Sequence, residues 1–271
     1  MTDREGSAPG VVDEYGFDPA FRDRVQPVVE RVARRVFRAG LVIEGAADWK
    51  GPVVFVANHG GFLPIDAIVT KALLDPHIEG AGVRPLLEDY TFTLPWVGLW
   101  ATRLGCVRAS QENAVRLLSR GEPVLAFPEG VKGAYRTLFE RGRVMRFGRG
   151  GLVRLALRTR TQVVPVGIAG PDEAYPVFAR LEKPARFVGL PFLPLSPTFP
   201  VLGPLGLLPL PARITVVVGD PVDLHEIAGT ATPDEACILR VNEFVRGRVA
   251  ELVGRARSAR PPAAGRAAGR A

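Results

Sequence analysis

The feature that most constrains the fold is an apolar run, 53–57, that ends abruptly in Asn-His-Gly-Gly. A β-branched run of this length, closed by a polar break, is typical of a buried strand followed by a strand-to-helix loop. In open α/β sheets, ligands and reacting groups collect outside the carboxyl ends of such strands. The pattern therefore predicts that His59 lies at a functional edge of a sheet.

His59 is one of three histidines in the chain, and Asp66 follows it seven residues later, across a Gly-Gly turn. A carboxylate on one ring nitrogen fixes the tautomer and leaves the other nitrogen free to accept a proton. We therefore predict that His59 is a general base oriented by Asp66. The alternative is a polar loop histidine, with Asp66 capping the following helix.

Apolar segments alternate with helical segments along the rest of the chain. Strands are predicted at 41–44, 53–57, 84–87, 124–127, 163–168 and 214–219, with a short element at 104–108. Helices are predicted at 66–74, 111–120, 147–159 and 233–253. This alternation predicts the α/β class, with a mostly parallel central sheet and helices on both faces.

An amphipathic helix is predicted at 18–41, ahead of the sheet, with arginines on much of its polar face (Arg31, Arg34, Arg35 and Arg38). Such a helix can lie on a membrane surface, or it can be an ordinary packing helix. One domain is predicted over 17–253. The flanking segments 1–16 and 254–271 are predicted to be disordered, because neither has the apolar residues to fold alone.

The tail 254–271 carries five arginines and no acid, and the chain has a formal net charge of +7. A basic tail suits an anionic surface, although it can equally be merely solvated. We favour a membrane over nucleic acid, because no helix-turn-helix, zinc-finger or RNA-binding signature accompanies the tail. Two well-separated cysteines and the absence of a signal-peptide pattern predict a cytoplasmic protein.

The segment 187–211 contains no charged residue and seven prolines. The prolines exclude a regular helix and argue against a transmembrane span. We predict a surface loop that enters a membrane interface or walls an acyl-chain tunnel. The alternative is a loop packed over the core.

Four blocks follow one another along the chain: Asn58-His59 with Asp66, Gly105-Cys106-Val107-Arg108, Phe127-Pro128-Glu129-Gly130 and Val164-Pro165-Val166. In this order and at these separations they resemble the glycerolipid (lysophospholipid) acyltransferase family, over about residues 41–224. The family usually has four residues between His and Asp, where this chain has Pro64 at the Asp position and six residues before Asp66. The longer form resembles the branch of monoacylglycerol- and diacylglycerol-acyltransferase-like proteins.

The resemblance implies a glycerol-3-phosphate acyltransferase-like fold and transfer of a fatty acyl group from acyl-CoA, or an acyl carrier protein, to a glycerolipid hydroxyl. The favoured acceptor is lysophosphatidic acid. The alternatives are a mono- or diacylglycerol, another lipophilic alcohol, or a non-catalytic lipid-binding protein of the same fold. The expected location is the cytoplasmic side, peripherally on the inner face of the plasma membrane.

The predicted catalytic residues are His59 and Asp66, and the predicted substrate-binding residues are Asn58, Gly60, Gly61, Arg108, Glu129, Gly130 and Lys132. Backbone N–H groups around the two loop glycines can stabilise an oxyanion. Arg108 can bind a phosphate as a bidentate donor, or form only a surface salt bridge. The resemblance implies that Glu129 lies at the acceptor site or positions Arg108; alternatively it is a turn residue.

Lys132, Arg136 and Arg146 form a basic cluster that can meet an anionic acyl donor or be a solvated face. No cofactor is predicted beyond the acyl donor as co-substrate. No metal is predicted, because His77 and His225 lack neighbours at metal-ligand spacing.

Overall fold

The structure, a computed structural model, describes residues 11–45, 49, 52–134, 136–187, 189–230 and 232–260. The strands are β1 (Gly40–Ile43), β2 (Val53–Ala57), β3 (Arg84–Leu87), β4 (Val107–Arg108), β5 (Val124–Ala126), β6 (Gln162–Ala169), β7 (Ala179–Leu181), β8 (Leu193–Leu195) and β9 (Thr215–Val218). The helices are α1 (Pro19–Arg35), α2 (Ile65–Leu74), α3 (Asp89–Thr93), α4 (Val97–Arg103), α5 (Gln111–Ser119), α6 (Val131–Ala134), α7 (Gly151–Thr159), α8 (Pro171–Ala174), α9 (Glu182–Phe187), α10 (Leu224–Ala228) and α11 (Glu235–Ser258).

Seven strands form one sheet in the order β1-β9-β6-β2-β5-β3-β4. Neighbours in this sheet are parallel except for β6 and β9, which are antiparallel. Strands β7 and β8 form a separate antiparallel pair. The prediction of an α/β fold with a mostly parallel central sheet is confirmed.

Strand β2 is the middle strand of the sheet, and all five of its residues are buried. Because side chains alternate along a strand, Phe55 and Ala57 enter one core, whereas Val54 and Val56 enter the other. The first core includes residues of α1 and α2, and the second includes residues of α5, α7 and α11. Helices therefore cover both faces, and the continuous apolar run of β2 reflects burial on both sides.

The predicted disorder of 1–16 is wrong for residues 11–16. The Asp13 carboxylate accepts hydrogen bonds from the N–H groups of Tyr15 and Phe17 and pairs with Arg84 at 2.8 Å. Arg84 is almost fully buried, so this short polar segment supplies a counter-charge that the core needs. Residues 1–10 lie outside the described residues.

The predicted C-terminal boundary at residue 253 is also wrong. Helix α11 continues to Ser258, and Ala256 within this extension is fully buried. Composition misled the prediction because it does not show that Ala256 packs in a cluster with Ala169 of β6 and Val217 of β9. Residues 261–271 of the predicted tail lie outside the described part of the chain.

Helix α1 ends at Arg35, six residues before the predicted limit, because the chain turns at Arg38 (φ +41°) to enter β1. Val28 and Val32 of this helix, and Val36 directly after it, remain exposed. Among the described residues, no helix combines the length and the apolar character that crossing a bilayer requires.

Candidate active site

Asn58 connects the carboxyl end of β2 to the neighbouring strand β6. Its side-chain amide donates to the carbonyl of Ile168 at 2.9 Å, and its side-chain oxygen accepts the N–H of Ile168 at 2.7 Å. These bonds use the side chain in both directions, which fixes the start of the His59 loop. The structure thus gives Asn58 a structural role, and its contact with a substrate stays a prediction.

His59 and Asp66 lie together, as the sequence predicts. The imidazole Nδ1 is 2.5 Å from Asp66 Oδ2, and Asp66 is fully buried at the start of α2. The carboxylate also accepts the N–H of Gly60 at Oδ2 and the N–H of Ala67 at Oδ1, each at 2.8 Å. Because both oxygens act as acceptors, the proton of a neutral imidazole belongs on Nδ1 and Nε2 is the basic nitrogen.

The electrostatic surroundings of His59 favour its protonated form. Burial by itself lowers the pKa of His59, but the charge of Asp66, the hydrogen bond to it and the charge of Glu129 outweigh burial. The pKa of His59 is therefore raised above its ordinary value. A base of raised pKa accepts a proton more readily, and it is protonated, hence inactive as a base, over a wider acidic range.

Glu129 and Arg136 form a buried ion pair behind His59. Arg136 Nη2 is 2.7 Å from Glu129 Oε2, which also accepts the N–H of His59 at 3.3 Å. Glu129 Oε1 accepts the N–H of Met145 at 2.9 Å. Arg136 also donates to the carbonyl of His59. Burial raises the pKa of Glu129, although the charge of Arg136 opposes the rise.

A cavity of about 340 Å³ opens in front of His59, and the ring of Phe127 lies 4.6 Å from the imidazole. Its inner wall is largely apolar, with Leu86, Leu87, Leu152 and Leu155 among its lining residues. The volume and the apolar wall are those of a small-molecule site. Within the described residues, His59 Nε2 makes no protein hydrogen bond, so this nitrogen is available to a bound molecule.

Polar groups form another part of the cavity wall. They are the N-termini of α5 (Ser110, Gln111) and α7 (Gly150, Gly151), together with Arg149, Glu88 and Asn242. Helix N-termini carry partial positive charge, which favours an anionic or strongly polar ligand group. The exposed Arg149 has no ion-pair partner among the residues that the structure describes.

The loop glycines do not present the predicted oxyanion hole. The N–H of Gly60 donates to Asp66, and the N–H of Gly61 donates to the carbonyl of Ala134 at 3.0 Å. Both donors are therefore occupied within the protein. Gly61 has φ +106°, and a Cβ there would lie 2.9 Å from Tyr175, so the tight turn itself requires glycine. Gly130, a predicted substrate-binding residue, lines the cavity.

Arg108 does not reach the cavity of His59. Its guanidinium pairs with the exposed Asp89 at 2.9 Å and lies over the ring of Phe92. Arg108 lines a second cavity of about 440 Å³, together with Phe92, Leu99 and Asn113. Ala109 and Ser110, which directly follow β4, line the first cavity, whereas Arg108 lines the second.

Lys132 lies in α6, and its side chain is outside the described part of the structure. Sequence reasoning placed Arg136 in a cluster for the acyl donor, but it is buried against Glu129. The available signal was Glu129 itself, because a carboxylate in a buried strand-end loop needs a cationic partner. Arg149 was not singled out at all. Its signal was its place between glycines just ahead of a helix.

Comparisons with known proteins agree with this architecture. The acyltransferase family model matches residues 29–169, about half of the chain. An uncharacterized protein of Mycobacterium tuberculosis is 37% identical over 246 residues, which cover 90% of this chain and 69% of the relative. An uncharacterized protein of Mycobacterium leprae is 36% identical over 247 residues, covering 90% and 67%.

Among solved structures, the chain is similar to a 1-acyl-sn-glycerophosphate acyltransferase, PlsC, of Thermotoga maritima. The TM-score is 0.53 at 21% identity, and the match covers 89% of this chain and 83% of that chain. At this identity the likeness shows the fold. The family model covers about half of the chain, including β2, β5, His59 and Asp66. The chain therefore belongs to the acyltransferase family.

Proposed function

We propose that this protein transfers a fatty acyl group from acyl-CoA, or from an acyl carrier protein, to a hydroxyl of a glycerolipid. The observation that carries the proposal is the His59–Asp66 pair, held at 2.5 Å, with the imidazole forming part of a largely apolar cavity. Membership of the acyltransferase family supports the reaction class.

In the proposed reaction, the acceptor oxygen attacks the thioester carbonyl while His59 Nε2 takes the hydroxyl proton. Asp66 stabilises the resulting imidazolium through Nδ1–H. The tetrahedral intermediate then collapses, the C–S bond breaks and the thiolate leaves with the proton from Nε2. No covalent acyl-enzyme is needed, because the acceptor oxygen is itself the nucleophile.

We favour lysophosphatidic acid as the acceptor. Arg149 and the N-termini of α5 and α7 line the cavity, and together they suit a phosphate group. Arg108, which the sequence favoured for this role, lines the other cavity and pairs with Asp89. The phosphate contact in our proposal therefore moves from Arg108 to Arg149.

The alternative acceptor is a mono- or diacylglycerol, or another lipophilic alcohol. Glu88 lines the same cavity, and its carboxylate disfavours a phosphate nearby. The two acceptors predict different effects of Arg149→Gln. Loss of a phosphate contact raises KM for lysophosphatidic acid by about tenfold or more and leaves KM for monoacylglycerol unchanged. The matched control is Arg108→Gln.

We also propose that the protein works peripherally on the inner face of the plasma membrane. The segment 187–211 exposes large apolar side chains, namely Phe187, Val201, Leu202, Leu205 and Leu208. Exposed apolar side chains in one segment are typical of a surface that meets lipid. Lys183 and Arg186 of the preceding α9 provide positive charge for anionic headgroups.

The function is tested with purified protein, labelled acyl-CoA and a panel of lysophosphatidic acid, monoacylglycerol and diacylglycerol. His59→Ala is expected to lower the transfer rate by about 10³-fold or more, because the base is removed. The matched control is His77→Ala, which changes an exposed histidine outside the cavity. Full transfer activity in His59→Ala would overturn the proposed mechanism. A lipid that binds without turnover would favour the non-catalytic alternative.

A further inference from the structure

Both backbone polar groups of His59 are held by a single ion pair. The N–H of His59 donates to Glu129 Oε2, the carbonyl of His59 accepts from Arg136 Nη2, and the same two atoms of the pair bond to each other. The peptide groups on either side of His59 are thus fixed from one direction, while Asp66 holds its side chain from another.

The ion pair is itself anchored to the surrounding chain. Arg136 donates from Nε to the carbonyl of Gly133 at 3.2 Å and from Nη1 to the carbonyl of Arg143 at 2.5 Å. Glu129 Oε1 accepts the N–H of Met145. Both side chains are almost completely buried, with 1% and 0% of their side-chain surface exposed.

This arrangement leaves Glu129 little freedom to bind an acceptor. Both of its oxygens accept hydrogen bonds from the protein. A Cβ at position 133 would collide with the Glu129 side chain, so Gly133 is what allows Glu129 to lie in this place. Burying an ion pair costs desolvation energy that a hydrophobic pair would avoid, so a pair this enclosed points to a positional role.

We propose that Glu129 and Arg136 are positioning residues, which clamp the main chain of His59 and so hold its imidazole in register with Asp66 and the cavity. The role rests on the proposed function of His59 as a base. Neither residue touches the reacting atoms. Arg136 therefore acts through His59, and Glu129 is not an acceptor ligand.

The clamp makes a distinct prediction for charge. Among the side chains that the structure describes, the charged groups around His59 are Asp66 from α2, Glu129 and Arg136 from the chain after β5, Asp172 from α8, and Glu88 and Arg149 in the cavity wall. The charge of Glu129 raises the pKa of His59 and that of Arg136 lowers it. A substitution in the clamp therefore changes position, charge or both, depending on the residue introduced.

Two variants separate position from charge. Arg136→Lys keeps the positive charge but replaces three spread donors with one ammonium group. We expect kcat to fall by about 100-fold, with KM for the acyl donor within about threefold and a smaller shift of the acidic limb of the pH profile than Glu129→Gln produces, because the charge is kept. Glu129→Gln removes the negative charge, so it should lower kcat and also move the acidic limb to lower pH. Arg143→Lys is the matched control, because Arg143 has an exposed side chain on the same segment and contacts Arg136 only through its backbone carbonyl, which the substitution keeps.

The result is read on folded protein, checked by thermal unfolding. If Arg136→Lys does not fold, Glu129→Gln alone carries the test. Wild-type kcat in either variant overturns the clamp. So does a Glu129→Gln variant in which only KM for the acceptor rises, because that result assigns Glu129 to substrate binding.

A second readout does not depend on turnover. The chain has three histidines, so NMR titration can follow the His59 ring, assigned by its loss in His59→Ala. Glu129→Gln should lower the pKa of His59, and Arg136→Lys should perturb the downfield Nδ1–H resonance of the His59–Asp66 bond. If these changes occur in a protein without transfer activity, the proposed function fails and the clamp stands. If turnover depends on His59 but neither variant alters its resonances, the clamp fails and the function stands.

Discussion

The loop after β2 and the segment 187–211 differ in which side chains they bury: the loop buries polar groups, and the segment exposes apolar ones. In the loop, Asp66 is fully buried and both of its oxygens accept backbone hydrogen bonds. In the segment, Phe187 is 92% exposed and Leu205 is 70% exposed, although both side chains are apolar. One region satisfies its polar groups in the interior, and the other leaves apolar groups outside.

The two regions nevertheless touch. The buried Phe192 packs edge-on against Phe62 of the loop, with ring centroids 5.8 Å apart. The segment therefore has one side on the core and another in solvent. The packed side agrees with the interpretation of a loop over the core, whereas entry into a membrane interface stays a prediction. Proton transfer needs fixed, fully bonded polar groups, whereas contact with lipid needs apolar area that remains uncovered.

The largest loss of activity should come from a substitution in the loop after β2, where the polar groups are buried and hydrogen-bonded. Asp66→Asn removes the carboxylate that holds Nδ1–H and can stabilise the wrong tautomer. We expect kcat to fall by about 10³- to 10⁴-fold. Steady-state acyl transfer measures the loss. Asp89→Asn, at an exposed carboxylate, is the control, and equal losses in both variants would contradict the role of Asp66.

The pH dependence of acyl transfer tests the same loop through the protonation of His59. Because the pKa of His59 is raised, transfer should decline about tenfold per pH unit below a midpoint that lies above the ordinary histidine value. The sign follows from the role, since a base is active only when unprotonated. The check is kcat/KM measured across the neutral range. A midpoint below the ordinary value would contradict the electrostatic arrangement around His59.

The exposed side is tested by binding to vesicles. Phe187→Ser and Leu205→Ser should each weaken binding to vesicles of phosphatidylglycerol and phosphatidylethanolamine by about tenfold, because each removes an apolar side chain that lipid would bury. Cosedimentation measures the loss. Ile227→Ser is the matched control, since Ile227 is an exposed apolar residue of α10. If Phe187→Ser and Leu205→Ser bind vesicles as strongly as the wild-type protein and Ile227→Ser do, the segment does not contact the membrane.

The smallest effect should come from Arg108→Gln. Its ion pair with Asp89 is exposed on both sides, so its loss should change the free energy of unfolding by less than about 1 kcal/mol. Acyl transfer to lysophosphatidic acid should stay within about twofold of the wild-type rate. Chemical denaturation and the transfer assay are the two measurements. A large loss of transfer would restore Arg108 as a substrate ligand.

Local pattern was sufficient to place β2 and the pairing of His59 with Asp66. The apolar run of β2 identifies a strand buried on both faces, and the short Gly-Gly turn brings the two side chains within reach. The ends were misjudged because burial there depends on distant partners. Asp13 is ordered by Arg84, and the last turns of α11 are ordered by the sheet.

The sequence by itself determined the class of fold, the family blocks and the pairing of His59 with Asp66, because these depend on residue type and short-range spacing. Only the tertiary structure decided which charges meet the cavity. Arg136 turned inward to Glu129, and Arg108 turned outward to Asp89. The direction of a long side chain depends on neighbours from other strands and helices, and residue spacing does not encode it.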